Sequence, residues 1–198
     1  MATVTELKRQ KKNESRINIY LDGEYFVSAD EVAVHKAGLK KGNEVDAQML
    51  SQMLLADDMQ RSFDLSLKFL SYRLRSKKEI NVYLSEKGFD KNTIDDTIEK
   101  LLSYGYLNDL AFAQMYVRSQ KCRYGIMKIE HNLKEFGISD EILQELDLSD
   151  DKEELLKLAK KYRNSHKNSD DKKLASYLLS KGFEWDSVKQ ILRDEDYE

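Results

Sequence analysis

The chain has 198 residues, is 40% hydrophobic and 35% charged, and carries a net charge of -3. That composition describes a folded, soluble chain with no bulk attraction to nucleic acid, so any such binding must come from local clustering. Having no proline and one cysteine, the chain excludes an internal disulfide and favours uninterrupted helices, since proline removes a helix hydrogen bond. No apolar run approaches the roughly 20 residues that span a bilayer, and the N-terminus lacks the apolar stretch of a signal peptide. A cytoplasmic location without membrane contact is therefore expected.

In the first element, Arg16 to Leu21, Ile17, Ile19 and Leu21 share one face. Asp22-Gly23 and then Glu24 to Val27 follow. Asp-Gly supplies the positive φ angles of a primed turn, which predicts a β-hairpin. Val4 to Leu7 offers a third strand. Ser28-Ala29-Asp30-Glu31 reads as a capping box in which Ser28 and Glu31 satisfy each other's backbone N–H groups. The helix it opens ends near Gly38. Asp46 starts the next, with Met49, Met53 and Leu54 at helical spacing.

From about residue 57 the sequence repeats. Leu-x-x-x-Gly followed by Phe or Ile occurs at Leu84–Gly88-Phe89, Leu133–Gly137-Ile138 and Leu178–Gly182-Phe183, with the glycines 49 and 45 residues apart. Eight residues before each glycine stand Ile80, Ile129 and Leu174, and six after stand Ile94, Leu143 and Val188. A period in this range marks a helical repeat array. In each unit the glycine closes a helix at positive φ and the next apolar residue folds back onto it. In the first unit Leu67, Leu70 and Leu74 face inward from a preceding helix. Asn92 or Thr93 caps a following one, whose stripe is Ile94, Ile98, Leu101 and Leu102. Asp109 is placed to cap the helix carrying Phe112, Met115 and Tyr116. The expected fold is mostly α: three tandem three-helix bundles, elongated and curved, behind an N-terminal β-hairpin and helix extension. Its divisions are 1–56, 57–108, 109–150 and 151–198. Residues 165–168 suggest an irregular loop.

Basic residues recur at one place in each unit, the end of the first helix and the turn into the second. They are Lys68, Arg73, Arg75, Lys77 and Lys78; then Arg118, Lys121, Arg123 and Lys128; then Lys160, Lys161 and Arg163, with Lys167, Lys172 and Lys173 diluted by Asp170 and Asp171. Any one cluster is accounted for by a solvated helix face near its dipole. Recurrence at equivalent positions points to one exposed stripe that the core does not need. Tyr72, Tyr116, Tyr124 and Tyr162 are interleaved, as aromatics that stack bases, anchor a protein interface or pack in the core.

Catalytic chemistry is not legible. His35, His131 and His166 have no metal-ligand spacing, Cys122 stands alone, and no phosphate-cradling glycine loop occurs. Asp57-Asp58, Asp95-Asp96 and Asp150-Asp151 read as acids at helix starts. A non-enzyme with no cofactor and no metal is expected, acting as a monomer.

Leu70-Ser71-Tyr72-Arg73-Leu74-Arg75-Ser76, then Glu79-Ile80, the link Gly105-Tyr106-Leu107-Asn108-Asp109 with Phe112-Ala113, and Gly125…Ile129…Leu133…Gly137-Ile138 resemble the RecX family. The hairpin Tyr20 to Tyr25 resembles an extension in some of its members. The resemblance implies a regulator that binds the RecA recombinase filament on DNA and inhibits its growth, strand exchange and ATPase activity. The basic stripe suits an acidic protein surface and single- or double-stranded DNA phosphate equally. The competing readings are a sequence-nonspecific DNA-binding helical-repeat module and a helical scaffold for another protein.

Overall fold

The computed structural model describes residues 1–11, 13–167 and 170–195. They form two compact units, Met1–Leu107 and Asn108–Glu198.

The first unit opens with an antiparallel sheet of β1 (Ala2–Arg9), β2 (Arg16–Leu21), β3 (Glu24–Asp30) and the short β4 (Glu44–Val45), in the order β3-β2-β1-β4. Asp22 at φ 51° and Gly23 at φ 92° make the β2–β3 turn, as a primed turn requires. Val4, Ile17, Ile19, Leu21 and Ala29 form the buried face. It packs under α1 (Glu31–Lys36) and the start of α2 (Ala47–Leu70) through Ala33, Val34, Leu50 and Leu54. The expected Ser28 cap is corrected. Ser28 pairs with Asn18 inside the sheet, and the Asp30 carboxylate accepts the Val32 N–H to cap α1.

Helix α2 runs 24 residues without a break. Its first half covers the sheet, and its second half forms the first bundle with α3 (Lys77–Glu86) and α4 (Lys91–Ser103). The inward stripe differs from the expected one. Leu50 and Leu54 face the sheet, while Met49 is 71% exposed. Further on, Ser62, Phe63 and Ser66 are buried, Leu67 and Leu70 lie at the core's edge, and Leu74 stands beyond the helix end at 39% exposure. Asp90, rather than Asn92 or Thr93, caps α4, accepting both the backbone N–H and the hydroxyl of Thr93. Asp57-Asp58 lies in the middle of α2, not at a helix start, and Asp95-Asp96 in the second turn of α4. Asp58 is buried and paired with buried Arg16 at 2.9 Å, which ties the sheet to α2. Burial pushes the Asp58 carboxyl up against the downward pull of Arg16.

The second unit holds two bundles, α5 (Asp109–Gln120), α6 (Ile126–Glu135), α7 (Asp140–Gln144) and α8 (Lys152–Ser165), α9 (Asp171–Ser180), α10 (Trp185–Glu195). Asn108 caps α5 by accepting the Ala111 N–H, so Asp109 is the first helical residue rather than the cap. Phe112, Ala113 and Val117 point inward, and Met115 does not. Of the expected loop at 165–168, Ser165 closes α8 and residue 168 lies outside the described residues.

The repeat register has one structural meaning throughout. Ile80, Leu84, Phe89 and Ile94, then Ile129, Leu133, Ile138 and Leu143, then Leu174, Leu178, Phe183 and Val188 are all buried in the separate cores of their bundles. Gly88, Gly137 and Gly182 have φ of 84°, 79° and 88°. In each copy the glycine N–H bonds the carbonyl three residues back, at 2.9 Å. The next N–H (Phe89, Ile138 or Phe183) bonds the carbonyl of Leu84, Leu133 or Leu178 at 3.2, 3.0 and 3.3 Å. This pair of bonds is the Schellman helix stop, with its apolar contact in place.

Candidate interaction surfaces

In the first bundle Lys77 and Lys78 open α3, Arg73 and Arg75 precede it in the turn, and Lys68 lies in the last turn of α2. Ser76 caps α3 and Glu79 completes the capping box. Glu79 is also a hub: its carboxylate accepts the Ser76 N–H and pairs with Arg73 at 2.5 Å and Arg75 at 3.2 Å. The Arg73 guanidinium further donates to the Leu74 carbonyl at 2.9 Å. Arg75 departs from the expected exposed position. Its side chain is only 15% exposed and its guanidinium lies 3.8 Å from the centre of the Phe69 ring. These two arginines therefore shape the turn between Ser71 and Ser76. Lys68, Lys77 and Lys78 are exposed, as is Tyr72 at 73%.

The second bundle places its cluster at the α5–α6 turn. Arg118, Arg123 and Lys128 are exposed, whereas Lys121 is half-buried and lies 3.6 Å from Asp147. In the third bundle Lys160 and Lys161 are exposed on α8, and Arg163 pairs with Asp171 at 2.9 Å. Each bundle thus has exposed lysines or arginines near the turn between its first and second helices, beside others that hold an acid.

The tyrosines divide by role. Tyr72 is exposed. Tyr116 packs with Phe112 and Phe136 and accepts a hydrogen bond from Asn132. Tyr124 lies at the edge of the second core. Tyr162 stacks between His166 and Tyr177. His131 and Cys122 are exposed. Among the described residues no group of three His, Cys, Asp or Glu side chains is placed to hold a metal ion. No described helix is long and apolar enough to cross a membrane.

Sequence reading missed two acids that organise these surfaces. Glu79 was within reach, because Ser76-Lys77-Lys78-Glu79 has the capping-box spacing. Asp150 was not, because its partners, Ile126 and Glu184, are distant in the chain.

Comparison with known proteins adds a family. The regulatory protein RecX N-terminal domain matches residues 2–46, and the first and second three-helix domains of RecX match residues 63–101 and 108–146. The regulatory protein RecX of Clostridium acetobutylicum is 32% identical, over 97% of this chain and 95% of its own length. That of Bacillus licheniformis is 34% identical, over 100% of this chain and 79% of its own. A crystal structure of regulatory protein RecX superposes with a TM-score of 0.66 at 26% identity, covering 98% of this chain and all of the other. RecX from Lactobacillus salivarius gives 0.64 at 29% identity, covering 72% of this chain and 99% of the other. With sheet, bundles and sequence in agreement along nearly its full length, the chain belongs to the RecX family of regulatory proteins.

Proposed function

We propose that this protein is a cytoplasmic, non-enzymatic regulator that binds the RecA recombinase filament on DNA. In this reading it slows filament growth, strand exchange and ATP hydrolysis, and the basic turns of its bundles are the surfaces that meet the filament. One observation carries the choice of surface: in every bundle, exposed cations stand at the turn between the first and second helices. Cations outside the core act on association and specificity rather than on folding. Family membership supports a regulatory role. The test is a strand-exchange and ATPase assay with a RecA recombinase. Both rates should fall as this protein is added, and unchanged rates reject the proposal.

Sequence-nonspecific DNA binding is a second reading, favoured by exposed Tyr72 among Lys68, Lys77 and Lys78. Lysine is a point charge without bidentate geometry, and an exposed ring stacks on any base. Binding to DNA alone with a steep salt dependence supports this second reading, whereas binding that requires assembled recombinase supports the first.

A further inference from the structure

The junction between the second and third bundles is held by backbone and carboxylate contacts around the start of α6. Gly125 occupies the cap position of α6 and has no side chain to fill it. Asp150, in the linker between the bundles, supplies the missing acceptor, taking the Ile126 N–H at 2.8 Å. The other oxygen of the same carboxylate takes the Glu184 N–H, just before α10, at 2.9 Å. The neighbouring N–H groups are also used across the junction: Gly125 donates to the Lys181 carbonyl at 3.1 Å and Met127 to the Gly182 carbonyl at 3.0 Å. The backbones touch here. A methyl group on Gly125 would strike the Gly182-Phe183 backbone, and one on Gly182 would lie 2.6 Å from the Lys128 nitrogen. The Lys181 ammonium completes the junction, 5.5 Å from the ring centres of both Tyr124 and Tyr177.

We infer that Asp150 is a positioning residue, a two-ended clasp that fixes the second and third bundles relative to each other. Arg118, Arg123 and Lys128 on one bundle and Lys160 and Lys161 on the other then meet a partner at a set separation. This rests on the proposed reading of the basic turns as the partner surface. The two bundles have separate apolar cores, so each can remain folded while the junction loosens. Hydrogen bonds to a carboxylate are roughly twice as strong as neutral ones, so one side chain with both oxygens engaged can hold the junction. Losing it leaves two cationic surfaces that must be ordered on binding, at a cost in affinity.

The experiment uses the full chain, with spin labels on native Cys122 and on an Asn164→Cys substitution, both at exposed positions of the second unit. The unmodified junction should give a narrow distance distribution. Asp150→Ala should broaden it without loss of helical content and weaken recombinase inhibition by about tenfold. Asp150→Asn, which keeps one carbonyl oxygen, should fall between. Gly182→Ala should broaden the distribution by a steric route. An unchanged distribution in Asp150→Ala overturns the clasp. A broadened distribution with full inhibition overturns the positioning role and leaves the proposed function standing. A wild-type chain that does not inhibit rejects the proposed function alone, because the distance distribution decides the clasp without it.

Discussion

Among the described residues five helices end in the same pair of backbone hydrogen bonds, at Gly38, Gly88, Gly105, Gly137 and Gly182, yet their glycines are not equally replaceable. A methyl group on Gly105 meets nothing within 4 Å, so Gly105→Ala costs only the strain of positive φ, about 1 kcal/mol. On Gly88 it would lie 2.8 Å from Asn13 Nδ2 and 2.9 Å from Arg16 Cδ, and Arg16 is pinned by Asp58 and the Ser28 carbonyl. On Gly182 it meets the backbone of Lys128, which has no rotamer to escape into. Denaturant midpoints should rank the losses Gly105→Ala, Gly88→Ala, Gly182→Ala, the last exceeding about 2 kcal/mol. Equal losses would contradict the contacts. The Leu-x-x-x-Gly spacing made positive φ legible, but the contacts were not, because Asn13 and Lys128 lie far away in the sequence. Asp90 adds a pH signature. Burial pushes its carboxyl up, but bonds from the Thr93 hydroxyl and from backbone N–H groups outweigh this and hold it below the ordinary 3.8. A lowered folded value means stability that is present above pH 3.8 and lost as pH falls through the folded value. The margin of wild type over Asp90→Asn, about 1 kcal/mol at neutral pH, should therefore narrow in acid. A margin that is constant from pH 7 to about pH 2 counts against this account.

At the scale of elements, one sequence pattern met two fates. Ser76…Glu79 and Ser28…Glu31 share the capping-box spacing, but only the first forms the box. Ser28 is held by strand pairing with Asn18, so the cap passes to Asp30. Helical periodicity was similarly ambiguous in α2. Met49 and Met53 share a stripe as regular as that of Leu50 and Leu54, and only the sheet beneath decides which is buried. The Glu79 hub sets a test of whether Arg73 and Arg75 serve the fold alone. Glu79→Gln should cost about 1 kcal/mol through the weakened cap and lost ion pairs. It should also add one net positive charge to the turn and release two guanidinium groups. If this turn meets an acidic partner surface, inhibition at low salt should strengthen despite the lost stability. Thermal unfolding and inhibition assays at two salt concentrations check both halves. Weaker inhibition at low salt would assign the arginines to the turn alone.

For the whole molecule, the register Ile80, Leu84, Gly88, Phe89, Ile94 and its two copies was enough to place three cores, because each position is buried in every copy. The extent of α2 was less legible, because one continuous helix serves both the sheet and the first bundle. Function was legible only in part. Charge clustering marks surfaces but does not name what they meet, and the link to a recombinase came from resemblance. The surfaces also needed the structure to sort their cations. Reversing Arg73 or Arg75 would break the Glu79 hub, and Arg75 also covers Phe69, so lost inhibition in such a variant would confuse folding with contact. Lys68, Arg118, Arg123 and Lys160 are exposed and hold no ion pair among the described residues. Charge reversal at each should cost within about 0.5 kcal/mol of stability. A variant combining Lys68→Glu, Arg118→Glu, Arg123→Glu and Lys160→Glu should therefore unfold near the wild-type midpoint. On the proposed function, its inhibition of strand exchange should nevertheless fall about tenfold or more at low salt, where screening is weakest, and by less as salt rises. Solvated helix faces with no partner predict no change at any salt. A well-folded quadruple variant that inhibits fully at low salt would remove the basic turns as the contact surface while leaving the bundles and the family intact.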